Sequence, residues 1–374
     1  MWLDSHLAQP DFAKPEKKDV TGELWMVHSG GFYQVEKRLI GPGTMPKTLH
    51  WFKWEAAFTW ISGIFLLGLI YYMSGGIYLT DPAVSKISAH AATALGISLL
   101  VVSWFGYDFL WQTSLATRNS KVVSAICFGV LVVITFGLCQ IMSGRAAYMH
   151  VGAMLGTLMV ANVWVRIIPF QKQMVAATQE GRKPDFDLGK QAKTRSVHNN
   201  YMTFPLIFIM LSNHFPNTYG HAYNWVLLTL IMLAGAAVRH SMNVKNRSTP
   251  WMRLSAAALV SILFIMTNPP EPPASALPAS TVTVNAKPVH FREAKAIILR
   301  RCVACHSVKP TDGIFTVAPN GVTFDSPEKI KIMAARIKDR VVITRTMPLS
   351  NKTGITEEER STLGRWVDTG AQTD

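Results

Sequence analysis

At 374 residues the chain is long enough for more than one domain. Its composition excludes an ordinary soluble protein: 16% of residues are charged, against about 25% in soluble domains, and mean hydropathy is +0.19. Four cysteines in this length build no disulfide scaffold, and the lack of a G-x-G-x-x-G or P-loop pattern argues against a flavin, nicotinamide or nucleotide site. The net charge of +14 raises the question of nucleic acid, which the placement of the basic residues answers below.

The opening residues MWLDSHLAQP carry no signal-peptide pattern. ELWMVHSGGFYQVEKR reads as two short strands around Ser29-Gly30-Gly31, a hairpin whose Trp25, Phe32 and Tyr33 are expected against the cytoplasmic side of a helical bundle. Residues 1–53 make up this N-terminal segment. Seven stretches then follow that are long or apolar enough for transmembrane helices, near 54–79, 88–111, 121–142, 146–170, 200–215, 221–241 and 250–268. The fifth, YMTFPLIFIMLSNHF, is short and holds Pro205, so a kinked or only partly spanning helix is expected. Cys127 and Cys139 lie inside these runs and read as small buried side chains. Beyond this 54–268 domain, PPEPPASALPAS marks a stiff, proline-rich linker over 269–289.

The last segment, 290–374, carries the chemistry. Cys302-Val303-Ala304-Cys305-His306 matches the C-x-x-C-H attachment site of c-type haem. Two thiols at this spacing reach both vinyl groups of one porphyrin, and the next residue sets an imidazole beneath the iron. His306 is therefore the expected proximal ligand. The sixth ligand should come from a downstream loop, and Met347, followed by Pro348, is preferred over Met333. A zinc half-site would need a second Cys/His pair, which does not follow. A thioredoxin-like pair would need a βαβ setting, which is absent. Phe291–Arg301 reads as a helix leading into the motif, Ser326-Pro327-Glu328 as a helix start, and Thr356 to Glu359 as a capping box. Leu363, Trp366 and Val367 share a face of that last helix, and Gly370 ends it. The expected architecture is all-α: a polytopic bundle of about seven membrane helices, then a small class I cytochrome c domain with one covalent haem c.

If the helices alternate in direction, residues 1–53, 112–121, 171–198 and 239–253 share one side and hold 19 Lys/Arg, whereas the opposite short loops hold only Lys86 and Arg145. This bias places the first set in the cytoplasm and the C-terminal domain in the periplasm. The basic charge is thus a topology signal, and no nucleic acid partner is expected.

The stretches WLDSHL, GELWMVHSGGFYQVEKRLIGP, LHWFKWEAAFTWISG, SVHNNYMTFPLIFIMLSNHFP and CVACHSVKPT together resemble the bacterial membrane-bound, cytochrome-c-linked urate oxidase (urate hydroxylase) family over nearly the whole chain. The resemblance implies a multi-pass protein of the bacterial inner membrane that oxidises urate to 5-hydroxyisourate. Electrons would pass through the attached haem to a soluble cytochrome c or a terminal oxidase of the respiratory chain. It also implies an eighth transmembrane helix ending in the WLD stretch, most of which this chain lacks. The alternative from the residues alone is a membrane-anchored cytochrome c carrier that docks another dehydrogenase or a terminal oxidase.

Ionisable residues at membrane depth are functional candidates. On this topology His90, His150, His214 and His221 fall near periplasmic helix ends, and His50, His198 and His240 near cytoplasmic ends. The periplasmic four are candidates for binding urate or taking its proton; the alternative uses are interfacial capping and ligation of a b-type haem in the bundle. Arg145 and Arg166 are candidate partners of an anionic purine. Asp108 is either a proton relay or a paired buried acid. A bilayer core of about 30 Å is too thick for one electron step, so urate chemistry at the cytoplasmic end would require a relay, and the periplasmic cluster is preferred.

Overall fold

The chain is mostly helical, and its one sheet among the described residues is the hairpin around Ser29-Gly30. The computed structural model describes all residues except 1, 11–18, 42, 75, 82–83, 245–249, 268–288, 314, 316–317, 320–321 and 374. After a short helix α1 (Trp2–His6), strands β1 (Val20–His28) and β2 (Gly31–Arg38) pair antiparallel, with His28 opposite Gly31. Ser29 and Gly30 take φ of +50° and +76°, the mirror-image turn whose twist matches that of paired strands. Trp25, Phe32 and Tyr33 are not packed on the bundle as expected: they are 62%, 80% and 50% exposed. A two-stranded sheet has no second layer to cover both faces, and here the buried end is Val20.

The bundle begins with α2 (Trp54–Leu67), which continues as a wider π turn to Tyr72. Next come α3 (Ala89–Leu110), a short α4 (Ser114–Arg118) and α5 (Ser120–Ile141). Helix α6 (Gly144–Ala161) runs through a π turn at Asn162–Ile167 into α7 (Ile168–Gln179). Ser88, Asn119 and Ser143 cap α3, α5 and α6 by accepting from the amides of Ala91, Val122 and Ala146. Helix α8 (Phe186–Leu211) is followed by a one-turn α9 (Pro216–Tyr219), then α10 (Asn224–Asn243) and α11 (Pro250–Thr267).

Six of these helices are long and apolar enough to cross a membrane: Trp54–Tyr72, Ala89–Leu110, Ser120–Ile141, Gly144–Gln179, Asn224–Asn243 and Pro250–Thr267. Their outward side chains are large and apolar, with Phe105, Val133 and Ile265 each about two-thirds exposed, as expected where lipid replaces water. The fourth runs for 36 residues, about 54 Å by helical rise, so it extends well past the 170 expected from hydropathy. The fifth expected stretch, 200–215, is not a separate segment. It is the apolar half of α8, a 26-residue helix that runs through the buried Pro205 and whose first half is polar. Packing against α6 and α10 holds it straight enough to continue. Pro205 lies against Gly235 of α10, where a Cβ would come within 2.8 Å of the proline ring, so the two helices touch backbone to backbone.

The expected linker 269–289 falls, but for Val289, outside the described residues. Beyond it, α12 (Phe291–Arg301), α13 (Pro327–Ile332), α14 (Ala334–Ile337) with its π extension Lys338–Ile343, and α15 (Glu357–Asp368) enclose a second core of Ile298, Ile330, Leu363 and Trp366. The capping box is present: Thr356 Oγ1 accepts from Glu359 N at 3.2 Å, and Glu359 accepts from Thr356 N at 2.9 Å. Glu359 also receives Arg301 Nε at 3.0 Å, which ties α15 to α12.

Burial alone would raise the Glu359 carboxyl, but the Thr356 amide and Arg301 outweigh it and hold the group below its ordinary value. A depressed carboxyl contributes stability above its unfolded pKa and loses it as pH falls through the folded value. Glu359→Gln is therefore expected to cost the C-terminal unit roughly 1–2 kcal/mol at neutral pH and to flatten the acid limb of its stability. Hydrogen exchange of the α15 amides across a pH series reads both; unchanged protection would show that the box and the α12 tie contribute nothing.

Candidate functional site

Helix α12 ends at Cys302, whose amide caps it by donating to Ile298 O at 2.9 Å. The next turn is closed by Cys305 N and His306 N, both donating to Cys302 O at 3.2 and 2.9 Å. This tight turn sets both sulfurs and the imidazole along one cavity of about 650 Å³, within the usual range for cofactor pockets. His306 Nδ1 lies 3.0 Å from Val322 O. A carbonyl only accepts, so the proton sits on Nδ1 and Nε2 keeps a free lone pair, the arrangement that orients a ligating imidazole.

Met347 lines the same cavity. Its loop is braced at both backbone atoms: Met347 N donates to Arg340 O at 3.0 Å, and Met347 O accepts from Arg360 Nη1 at 2.9 Å. Arg360 is buried and also bonds Val341 O, so its charge holds the methionine loop in place.

Cys302 and Cys305 are free thiols. Burial pushes Cys302 up to about 12, and burial together with Asp312 pushes Cys305 up to about 11. A disulfide-exchange pair shows the reverse, a depressed thiol. Two adjacent sulfurs, an oriented imidazole and a braced thioether on one cavity are a donor set that fits a covalently attached porphyrin.

The opposite wall of the cavity belongs to the bundle, through Tyr78, Arg145, Asn213 and His221. Ser350 Oγ donates to Ile77 O, and Gly220 lies so close to Thr344 O that a Cβ would come within 2.7 Å, which seats the methionine loop on the bundle. Arg145, on the first turn of α6, donates from Nε to Asn213 Oδ1 at 2.8 Å and to Tyr71 Oη at 3.2 Å, and its guanidinium lies 4.7 Å from the Tyr78 ring. Among the described residues no carboxylate pairs with it. The fork is anchored through Nε, and its Nη groups make no protein hydrogen bond among the described residues. A guanidinium whose Nη groups face a concave, half-apolar wall is suited to pairing with an anion.

The four histidines expected at periplasmic helix ends, His90, His150, His214 and His221, do not form one cluster. His221 lines the cavity, with Nδ1 accepting from Tyr223 N at 3.0 Å, so the neutral ring presents an Nε2–H donor. His150 is fully buried one layer behind: Nδ1 donates to Ala146 O at 2.8 Å, and Nε2 accepts from Tyr72 Oη at 3.0 Å. Both ring nitrogens are thus engaged by the protein. His214 is exposed on a different groove, and His90 is exposed at the start of α3. Helix ends at one depth face different neighbours, and sequence reports the depth without the facing.

Gly96 of α3 makes room for the His150–Tyr72 pair, because a Cβ there would come within 2.5 Å of His150 Nε2 and 2.7 Å of Tyr72 Oη. Gly96→Ala is expected to break this hydrogen bond and lower urate turnover about tenfold, the scale of one lost buried bond. Turnover measured beside Tyr72→Phe checks it. Full activity in both would remove the pair from the site.

At the other end of the bundle, Arg166 is not free for an anion. It binds Asp108 through Nε at 2.9 Å and through Nη2, Arg195 adds a bond at 2.8 Å, and Gln112 a fourth at 2.7 Å. Asp108 is thus the paired buried acid of the two readings. Tyr107 Oη meets His198 Nδ1 at 2.6 Å, and Tyr201 Oη meets His240 Nδ1 at 2.5 Å. His50 is exposed, 3.7 Å from Glu55. Asn213, Tyr71 and Arg360 were not among the expected site residues, although Asn213 lies inside the quoted SNH stretch.

Comparison with curated proteins and with solved structures finds no match. A family model described as "Urate oxidase N-terminal" matches residues 1–268, which hold the bundle and its wall of the cavity but not the Cys302–His306 turn. On that match over most of its length, the chain belongs to the urate oxidase N-terminal family and is a urate-oxidase-related oxidoreductase.

Proposed function

We propose that this chain is a membrane-bound urate oxidase that converts urate to 5-hydroxyisourate at the cavity between its bundle and its C-terminal unit. One observation carries the reading: Arg145, on the family-matched bundle, and Cys302, Cys305, His306 and Met347, on the tail, line the same cavity. Adding water to C5 of urate releases two electrons and two protons. Cys302 and Cys305 would hold haem c through thioethers, and His306 Nε2 and Met347 Sδ would ligate its iron. When bound, the group supplies a one-electron acceptor whose potential Met/His ligation raises.

The chain's own residues do the rest. Arg145 holds the purine anion by charge, and Asn213 and Tyr71 fix the guanidinium that does so. His221 offers a donor from the cavity wall. A urate site and a haem site on one cavity would shorten the electron path. The excess of basic residues in the other loops supports a periplasmic tail in a bacterial inner membrane. The electrons then leave to a soluble cytochrome c or a terminal oxidase.

Membranes carrying the chain, given urate without oxygen, should develop the reduced c-type haem bands. Reduction by dithionite but not by urate would leave only the electron-carrier reading. Met347→Ala should keep haem attached and lower its potential; an unchanged potential would remove Met347 as the sixth ligand.

A further inference from the structure

A second cavity, of about 730 Å³, opens between α8, α10 and α11 and is distinct in character from the first. Its walls are apolar and aromatic, with Phe204 and Phe208 from α8 and Val260 and Phe264 from α11. Gly235 of α10, which packs against Pro205, also lines it. Val260 to Thr267 line it over roughly 10 Å of helix by helical rise, on an element whose outward face, including Ile265 at 71% exposed, is turned to lipid. The polar groups gather at one end, where the C-terminal unit overhangs the bundle. There Arg336 and Arg340, which stand on the ridge between the two cavities and line both, face a single carboxylate, Asp339. The Arg340–Asp339 contact is a long 3.8 Å, and Arg336 makes no salt bridge among the described residues.

We propose that this groove is a binding site for one anionic phospholipid, with an acyl chain lying along α8, α10 and α11 and the phosphodiester held by Arg336 and Arg340. The charge pattern selects this occupant. A phosphodiester carries one negative charge, which the surplus guanidinium matches, and arginine pairs bidentately with phosphate oxygens. A neutral quinone could use the His214, Asn217 and Thr218 side chains of the lining but would leave the two guanidinium groups without a counter-charge. The site joins the two halves of the chain, since the phenylalanines belong to the bundle and the arginines to the C-terminal unit. The proposal depends on the membrane placement of α8, α10 and α11 and is independent of the substrate.

The test uses the full chain, purified and stripped of lipid, then titrated with phosphatidylglycerol or with phosphatidylcholine of identical chains and read by native mass spectrometry. Retention of one phosphatidylglycerol about tenfold more tightly than phosphatidylcholine is expected, a difference of about 1.4 kcal/mol. Arg336→Gln with Arg340→Gln should erase that preference while a lipid still binds. Val260→Trp should exclude either lipid; a melting temperature equal to wild type confirms that this variant folds, and the surface arginine pair carries the decision if it does not. Equal retention of both lipids by the wild-type chain, a preference that survives the double substitution, or displacement of the lipid by a quinone would overturn the proposal.

Discussion

Replacing Arg145 by glutamine is expected to lower kcat/KM for urate about 100-fold, equivalent to about 2.7 kcal/mol, with haem content unchanged. The loss follows from charge and geometry together. Arg145 has no carboxylate partner among the described residues, and its Nε bonds to Asn213 and Tyr71 aim the fork at the cavity. Glutamine keeps a donor and removes the charge that an anion needs. Lysine restores the charge as a point but lacks the Nε donor that Asn213 holds, so Arg145→Lys should recover only part of the activity. Asn213→Ala should resemble it, since it frees the fork without discharging it. Steady-state rates for the three variants, normalised to the haem band, give the comparison. Undiminished activity in Arg145→Gln would place anion recognition elsewhere in the chain.

Asp108→Ala is expected to destabilise the bundle by about 3–5 kcal/mol, the range for breaking a buried ion pair from one side. Asp108 receives four hydrogen bonds, from Arg166, Arg195 and Gln112. Arg195 is only 5% exposed, with Nη1 unpartnered, so losing Asp108 strands a cation inside the protein. Arg166 sits less deeply and is better able to reach a polar surface. The double variant Asp108→Ala with Arg195→Met should therefore regain much of the loss, because it removes the stranded charge. Thermal unfolding in detergent, followed by circular dichroism, measures both. An Asp108→Ala protein as stable as wild type would mean that the two guanidinium groups find other partners or water.

The parts of this molecule that short-range rules govern were legible in the chain. The Thr356–Glu359 capping box, the Ser326-Pro327 helix start, the Ser29-Gly30 turn and the α12 helix leading to Cys302 all rest on contacts within a few residues, and each is present. Apolar runs marked the membrane helices because bilayer thickness is a length criterion that one dimension can satisfy. Pro205 does not end α8, because packing against Gly235 and α6 holds the helix continuous, and α8 is not among the six helices long and apolar enough to cross a membrane. The exposed Trp25, Phe32 and Tyr33 misled, since apolar character does not say whether a neighbour is there to cover it.

What sequence by itself determined is the chemistry on offer: two thiols and an imidazole at porphyrin spacing, a set of apolar stretches, and basic residues concentrated in alternate connecting segments. Tertiary structure decided which groups meet. Arg166 and Asp108 lie 58 residues apart and pair, while His150 and His214, both expected at one membrane face, have different surroundings. The rotation of each helix about its axis sets those meetings. That angle is fixed by packing against neighbours, which no run of consecutive residues encodes alone.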